Sequence, residues 1–433
     1  MTIEDLYGIF KECRSISTDS RKLVPGSIFF ALRGENFNGN SYALEALNAS
    51  CPYAIVDDPT LPENDRLLFF PDVLDTLQKL ARFHREQLNI PFIGITGSNG
   101  KTTTKELIAA VLSRKYKVCA TKGNLNNHIG VPLTVLSVWD HDIAIIEMGA
   151  NHLGEIASLC KIADPGYGII TNIGKAHLDG FGSPEGVIKA KSELYDHLAQ
   201  RKGKVFLDGD NPLLLKLATD KNLQSVLYGN IAGSLCRAEI ADNSKFLKIN
   251  LHISGIQKKI EIQSSLVGDY NLSNLLAATC IGLHFGIQPG EIASALNEYE
   301  PNNSRSQLLI TSKNKIVLDA YNANPSSMES SVSNFLSQKD EQPKLIILGD
   351  MLELGTYSHS EHLSLINLIK EKQFDNVILV GPEFKAVSKQ FSLNCFRNVE
   401  DLIEHFRLNP VKEHSILLKG SRGIKLEKLL EVL

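Results

Sequence analysis

The sequence predicts an α/β protein of three domains, and three observations carry that expectation. Its 433 residues exceed what one ordinary domain holds. Short apolar runs alternate with stretches of helical length along most of the chain, the pattern of parallel strands joined by helices. The alternation breaks twice, near residue 88 and near Pro301, where proline and asparagine interrupt one periodic stretch before the next begins.

The expected domains are residues 1–87, 88–301 and 302–433. In the first, apolar runs at 27–32 (SIFFAL), 53–56 and 67–70 are separated by loops and a helical stretch at 42–49, and a second helix is expected over 72–87. These make a small α/β unit. In the second, strands are expected at 92–96, 143–147, 167–172 and 204–208, with helices starting at Lys101 and spanning 184–198, which together describe a parallel sheet covered by helices. Between 222 and 265 the pattern changes to β-like runs at 247–253 and 259–263, read as a β insertion, and a helix begins near Asn271. After Pro301 the alternation resumes with strands at 316–319, 344–348, 376–380 and 415–419, a separately wound α/β domain.

Composition narrows the function. Lys plus Arg number 45 and Asp plus Glu 49, a balance of −4 that advertises neither nucleic acid nor a membrane surface as partner. No run of about 18 apolar residues is present, so no membrane span is expected. Glu4 and Asp5 stand where a secretory signal needs basic residues, and the seven cysteines are scattered with no Cys-x-x-Cys pair. A cytoplasmic protein with free thiols is expected, and a monomer.

The strongest local signal is GITGSNGKTTTKE at 94–106, between an apolar strand and a helical run. Gly97 and Gly100 free the backbone to turn its N–H groups toward phosphate, Lys101 adds a point charge, and Thr102 offers a hydroxyl to Mg²⁺. Ile95 replaces the first glycine of the longer phosphate-loop spacing. A bare glycine turn is the competing explanation, and the strand-to-helix context disfavours it. Glu147, at the carboxyl end of its strand, is either a metal ligand or a carboxylate at a helix start. His177, after the next strand, is either a ligand or a hydrogen-bonded loop residue. Lys189 and Lys191 lie about 200° apart on one helix, so at most one of them enters a site.

At this point the chain resembles the Mur ligases, and within them the type that adds D-alanyl-D-alanine to UDP-N-acetylmuramoyl-tripeptide. STDSRKLVPGSIFFALRGENFNGN (17–40), TGSNGKTTTKE, GNLNNHIGVPLT (123–134), IIEMGANHLGEI (145–156), NIGKAHLDGFGSPEGVIKAKSEL (172–194), GDYNLSNLLAA (268–278), DAYNANPSSM (319–328), LGDMLELG (348–355) and KGSRG (419–423) carry the likeness in order along nearly the whole chain. It implies a three-domain Mur ligase architecture: a UDP-sugar domain, a central phosphate-loop ATPase domain and a Rossmann-like carboxy-terminal domain.

Residue by residue, the resemblance implies that the loop Thr96, Gly97, Ser98, Asn99, Gly100, Lys101, Thr102 and Thr103 binds ATP, with Lys101 on the β and γ phosphates. Thr102, Glu147 and His177 would serve Mg²⁺, and Lys191 would be carbamoylated to hold a second ion. Asn271 and Asn274 fall on the adenine side, Arg305 reaches the γ phosphate, and Asp319, Tyr321 and Asn324 contact the nucleotide. Asp19, Ser20 and Arg21 belong to the UDP end of the acceptor; Asn126, Asn127 and His128 face substrate. Two departures stand out: Leu318 where a second aspartate is common, and Asn303-Ser304 before Arg305 where Pro-Gly is common.

The reaction so implied activates a carboxylate as an acyl phosphate for attack by the amine of D-alanyl-D-alanine. A related ligase using another amino acid would share TGSNGKT and Lys191 but give no reason for DAYNANP. A nucleotide-dependent switch would need neither the first domain nor Lys191.

Overall fold

The computed structural model describes residues 1–301, 305–389, 391 and 393–433. Asn303 and Ser304, and with them the expected junction after Pro301, lie outside the described residues.

The amino-terminal sheet is built from four short parallel strands in the order Ile16–Ser17, Ile28–Phe30, Ala54–Val56 and Leu67–Phe69. Ile28–Phe30 and Ala54–Val56 are buried throughout, which is why they read as continuous apolar runs rather than alternating ones. The helix Val73–Glu86 follows, capped by the Asp72 carboxylate, which accepts from Asp75 N at 2.8 Å.

That helix is a seam rather than the end of a unit. Val73, Leu77, Leu80, Ala81 and His84 form its buried face. It packs against Ile3–Cys13 on one side and against the helices Gly130–Leu136 and Glu155–Ala163 of the next segment on the other. His84 Nε2 lies 2.7 Å from the Val138 carbonyl, and Arg85 donates to the Ala163 and Asp164 carbonyls at 2.8 and 3.0 Å. Leu6, Leu77, Val135 and Leu159 belong to one uninterrupted core.

The central sheet has nine strands in the order Ile260–Gln263, Lys248–Ile253, Cys236–Asp242, Gln224–Tyr228, Lys204–Asp208, Tyr167–Ile170, Phe92–Thr96, Ile143–Glu147 and Val118–Ala120. Pairing is parallel from Val118–Ala120 as far as Cys236–Asp242 and antiparallel beyond it. The β segment expected as an insertion thus continues the same sheet as its antiparallel edge. Burial alternates strictly along Lys248–Ile253, whereas Phe92–Thr96 and Ile143–Glu147 are buried at every position, as one-sided and two-sided strands require. Because Phe92–Thr96 lies between Ile143–Glu147 and Tyr167–Ile170, the loops leaving three adjacent strands open on one edge, where α/β sheets bind ligands.

The carboxy-terminal sheet runs Gln307–Ile310, Lys315–Asp319, Ser415–Lys419, Lys344–Gly349, Val377–Val380 and Asn394–Phe396. Only the Gln307–Ile310 edge is antiparallel. Asp319 and Lys419 are register partners at the carboxyl ends of neighbouring strands.

Leu77 is fully buried in the seam. Leu77→Ala is expected to lower stability by about 2–4 kcal/mol, measured by urea denaturation; a loss below about 1 kcal/mol would mean that the two segments do not share a core.

Candidate active site

The loop after Phe92–Thr96 turns through two glycines that no other residue replaces. Gly97 has φ 144°, and a Cβ there would stand 2.0 Å from Thr171 Oγ1; Gly100 has φ 77°, and its Cβ would meet Asn274 Oδ1 at 2.8 Å. The neighbouring strand's loop holds this one in place. Ser98 N donates to the Asn172 carbonyl at 2.9 Å, Asn99 N to Asn172 Oδ1 at 3.0 Å, and Thr171 Oγ1 to the Asn99 carbonyl at 2.6 Å. Thr96 Oγ1 donates to the Met148 carbonyl at 2.9 Å, and the helix Lys101–Leu112 begins directly after Gly100.

Lys101 folds back so that Nζ donates to the Gly97 and Ser98 carbonyls at 2.6 and 3.2 Å. Burial holds its pKa down at about 8; nearby Glu147 opposes the shift and Arg305 adds to it. Glu147 is 1 % exposed. Its Oε1 accepts from Thr102 Oγ1 at 3.1 Å and from Asn126 Nδ2 at 2.8 Å. Its Oε2 accepts no hydrogen bond among the described residues, with Lys105 Nζ 3.5 Å away. A buried carboxylate with one oxygen left open beside a threonine hydroxyl is a hard-oxygen donor set that fits a divalent cation.

Lys191 is 1 % exposed and Lys189 is exposed, the split that their rotation about the helix demands. The Lys191 amine donates to the Ala150 carbonyl at 3.4 Å and lies 5.2 Å from the Phe181 ring centroid, with no carboxylate in ion-pair range among the described residues. Burial first, then the Lys101 charge, lower its pKa to about 7.

The other residues fall into three groups. Asn126, Asn127, His128, Thr103, Asn271 and Asn274 border the same crevice. The last two also brace the loop from behind: Asn274 Oδ1 accepts from Thr104 Oγ1 at 3.0 Å, and its Nδ2 donates to Asn271 Oδ1 at 2.8 Å. Asp19, Ser20 and Arg21 form an exposed capped turn in the amino-terminal sheet region and do not border this crevice.

The third group comes from the carboxy-terminal sheet. Arg305 lies over the Tyr321 ring, 3.9 Å from its centroid, with Nε buried and unpartnered among the described residues. Asp319 borders the crevice and is engaged by Lys419, by Ser331 Oγ at 3.0 Å and by Ser306 N at 3.4 Å. Asn324 caps the helix Pro325–Ser337 and exchanges amide hydrogen bonds with Asn99 of the loop, 2.7 Å from Asn324 Nδ2 to Asn99 Oδ1 and 3.4 Å in return.

Sequence reasoning missed the contacts that bring this wall up to the loop. Lys175 Nζ pairs with Glu361 at 2.6 Å, Lys175 N donates to Ser326 Oγ at 3.1 Å, and Tyr270 Oη meets Ser306 Oγ at 2.8 Å. His177 Nδ1 stands 2.5 Å from Glu353 Oε2, and that contact holds the Glu353 pKa below its usual range. The imidazole expected as a metal ligand is therefore tied on one side to the carboxy-terminal domain. LGDMLELG, which contains Glu353, was the only signal for it in the sequence. The walls enclose a crevice of about 1150 Å³.

Comparison with known proteins agrees with this geometry. Residues 95–282 match the model of the Mur ligase middle domain, and 304–422 that of the Mur ligase, glutamate ligase domain. The chain is 36 % identical to a UDP-N-acetylmuramoyl-tripeptide–D-alanyl-D-alanine ligase of Bacillus subtilis, over 96 % of this chain and 92 % of that one. It is 32 % identical to the Escherichia coli protein of the same name, over 99 % and 95 %. The crystal structure of MurF from Acinetobacter baumannii superposes with a TM-score of 0.87 at 30 % identity, covering 99 % of this chain and 98 % of that one. MurF from Thermotoga maritima in complex with ADP gives 0.84 at 27 %, covering 97 % of each. With its loop, its buried lysine and its split crevice placed as described, the chain belongs to the Mur ligase family, in its MurF branch.

Proposed function

We propose that the chain is an ATP- and Mg²⁺-dependent ligase that joins D-alanyl-D-alanine to UDP-N-acetylmuramoyl-tripeptide, forming the pentapeptide precursor of peptidoglycan. One observation carries the reading: a phosphate loop faces a second domain's arginine across one crevice, with the buried Lys191 behind Ala150 of the crevice wall. Its volume of about 1150 Å³ exceeds the roughly 300–1000 Å³ typical of a single small-molecule site, as two large substrates require. The full-length likeness to ligases of that name supplies the substrates.

The peptide's terminal carboxylate is a poor electrophile, because attack by an amine would have to expel oxide. In the first step a carboxylate oxygen bonds to the γ phosphorus of ATP as the bond to the β-phosphate oxygen breaks, giving an acyl phosphate and ADP. In the second, the dipeptide amine attacks the acyl carbon, phosphate leaves with the bonding pair, and an amide remains once the nitrogen has lost its proton. Lys101 and the N–H groups of Ser98 to Lys101 meet the phosphates, and Arg305 approaches from the other wall. Thr102 and Glu147, joined by His177 and a carbamoylated Lys191, would hold Mg²⁺, whose charge offsets that of the transferring phosphoryl group. The docked walls keep water from the acyl phosphate.

Lys191 suits carbamoylation because reaction with carbon dioxide requires a neutral amine, and burial makes a large neutral fraction available near pH 7. No helix among the described residues is long and apolar enough to cross a membrane, and all seven cysteines are free. Together with an ATP-requiring reaction these support action in the cytoplasm.

Phosphate release is expected only when ATP, Mg²⁺, UDP-linked tripeptide and D-alanyl-D-alanine are all present, and Lys101→Ala should cut it at least 100-fold, about the effect of removing one transition-state cation, with the circular dichroism spectrum unchanged. Release with a single amino acid in place of the dipeptide would favour a related ligase, and ATP binding without acceptor-dependent turnover would favour a switch.

Lys191→Ala should lose activity that short carboxylic acids partly restore, while the exposed Lys189→Ala behaves like the parent. In ¹³C-bicarbonate, the parent and Lys189→Ala should show a carbamate resonance that Lys191→Ala lacks and that fades as the pH drops below 7. The same resonance in all three proteins would remove Lys191 from the site.

A further inference from the structure

The dipeptide brings a charge that the residues assigned so far do not meet. Its amine must reach the acyl carbon, and its carboxylate, at the other end of an extended dipeptide, needs a cation of its own. Lys101 and Arg305 are directed to phosphate, and Lys191 is enclosed behind Ala150. Lys419 borders the crevice but is buried and paired with Asp319, and Lys175 is paired with Glu361.

Arg422 differs from all of these. It opens the turn Arg422–Ile424, just past Lys419 at the end of its strand, and is exposed. Its guanidinium lies 5.3 Å from the centroid of Tyr321, the ring that Arg305 also covers and that lines the crevice. Among the described residues it has no ion-pair or hydrogen-bond partner for its side chain. Its backbone is fixed: Ser421 Oγ donates to the Ala323 carbonyl at 3.4 Å and accepts from Leu352 N at 2.9 Å, and Ser421 N donates to the Asp350 carbonyl at 3.1 Å. A fork of N–H donors held on a pinned turn beside an aromatic platform suits a carboxylate, which a guanidinium grips through two parallel hydrogen bonds.

We infer that Arg422 binds the carboxylate of the incoming D-alanyl-D-alanine beside Tyr321, the ring that Arg305 also covers. This inference rests on the ligase reading above.

The test compares D-alanyl-D-alanine with D-alanyl-D-alaninamide, which lacks only the carboxylate charge, in the parent, Arg422→Met and Arg422→Lys. The parent should prefer the acid by roughly 100-fold in kcat/KM, the range expected for a charge-assisted pair. Arg422→Met, which keeps the apolar contact with Tyr321, should raise the KM for the acid by a similar factor, abolish the preference, and leave the KM values for ATP and UDP-tripeptide within about twofold. Arg422→Lys should fall between the two, because a point charge lacks the fork. An Arg422→Met enzyme that keeps the parental preference overturns the inference, as does one that loses acid and amide equally. A parent without any dipeptide-dependent turnover would instead overturn the ligase reading itself.

Discussion

The site depends on positive charge held away from water. Lys101 and Arg305 line one crevice together with the carboxylates of Glu147, Glu155 and Asp319, and Lys191 is buried behind Ala150 of its wall. Burial and mutual repulsion push both lysines toward the neutral form, so the free protein holds an arrangement that a polyphosphate relieves. The same low-dielectric surroundings that make the arrangement costly make each contact with an anion stronger than it would be in water. Lys101 resting on the Gly97 and Ser98 carbonyls is how the loop accommodates its charge without a phosphate.

That charge is divided between two sheets. Lys101 and Lys191 come from the central sheet and its helices, Arg305 and Tyr321 from the carboxy-terminal segment, and the walls meet through Asn99–Asn324, Lys175–Glu361 and His177–Glu353. Apolar packing accompanies these polar contacts: the core that joins the amino-terminal sheet to the central one also includes Val317, Met328 and Leu354 of the carboxy-terminal segment. Opening this polar seam would exchange its hydrogen bonds for water at little cost, but would also expose the apolar surface that the two segments share. An opening there would admit two large substrates.

Much of this was legible in the sequence because its signals are local. The phosphate loop lies within one strand–turn–helix, and its two glycines, lysine and threonine occupy adjacent positions whose spacing fixes their geometry. The buried strands Phe92–Thr96, Ile143–Glu147 and Ser415–Lys419 stood out as unbroken apolar runs. The edge strand Gln307–Ile310 did not, since it is half-exposed and Ile310 is 69 % exposed. The continuation of the central sheet through Lys248–Ile253 looked like an insertion, because periodicity reports how a strand is covered and not which sheet it joins. Least legible were the pairs across the polar seam. Asn99 and Asn324 are 225 residues apart and Lys175 and Glu361 are 186 apart, so no local pattern links them. Asp319 shows the same limit: its motif pointed to the nucleotide and it borders the crevice, but its pairing with Lys419, 100 residues on, had no local signal.

The central claim is that two domains grip the same phosphates, and a double-mutant cycle on binding of a non-hydrolysable ATP analogue tests it directly. Dissociation constants would be measured by calorimetry for the parent, Lys101→Met, Arg305→Met and the double variant, all as full chains with Mg²⁺. If both side chains act on one bound anion within a closed crevice, their effects are coupled, and the double variant should depart from additivity by about 1 kcal/mol or more. Effects that add within about 0.3 kcal/mol would contradict the account and leave the phosphate loop as a site that the central domain completes alone.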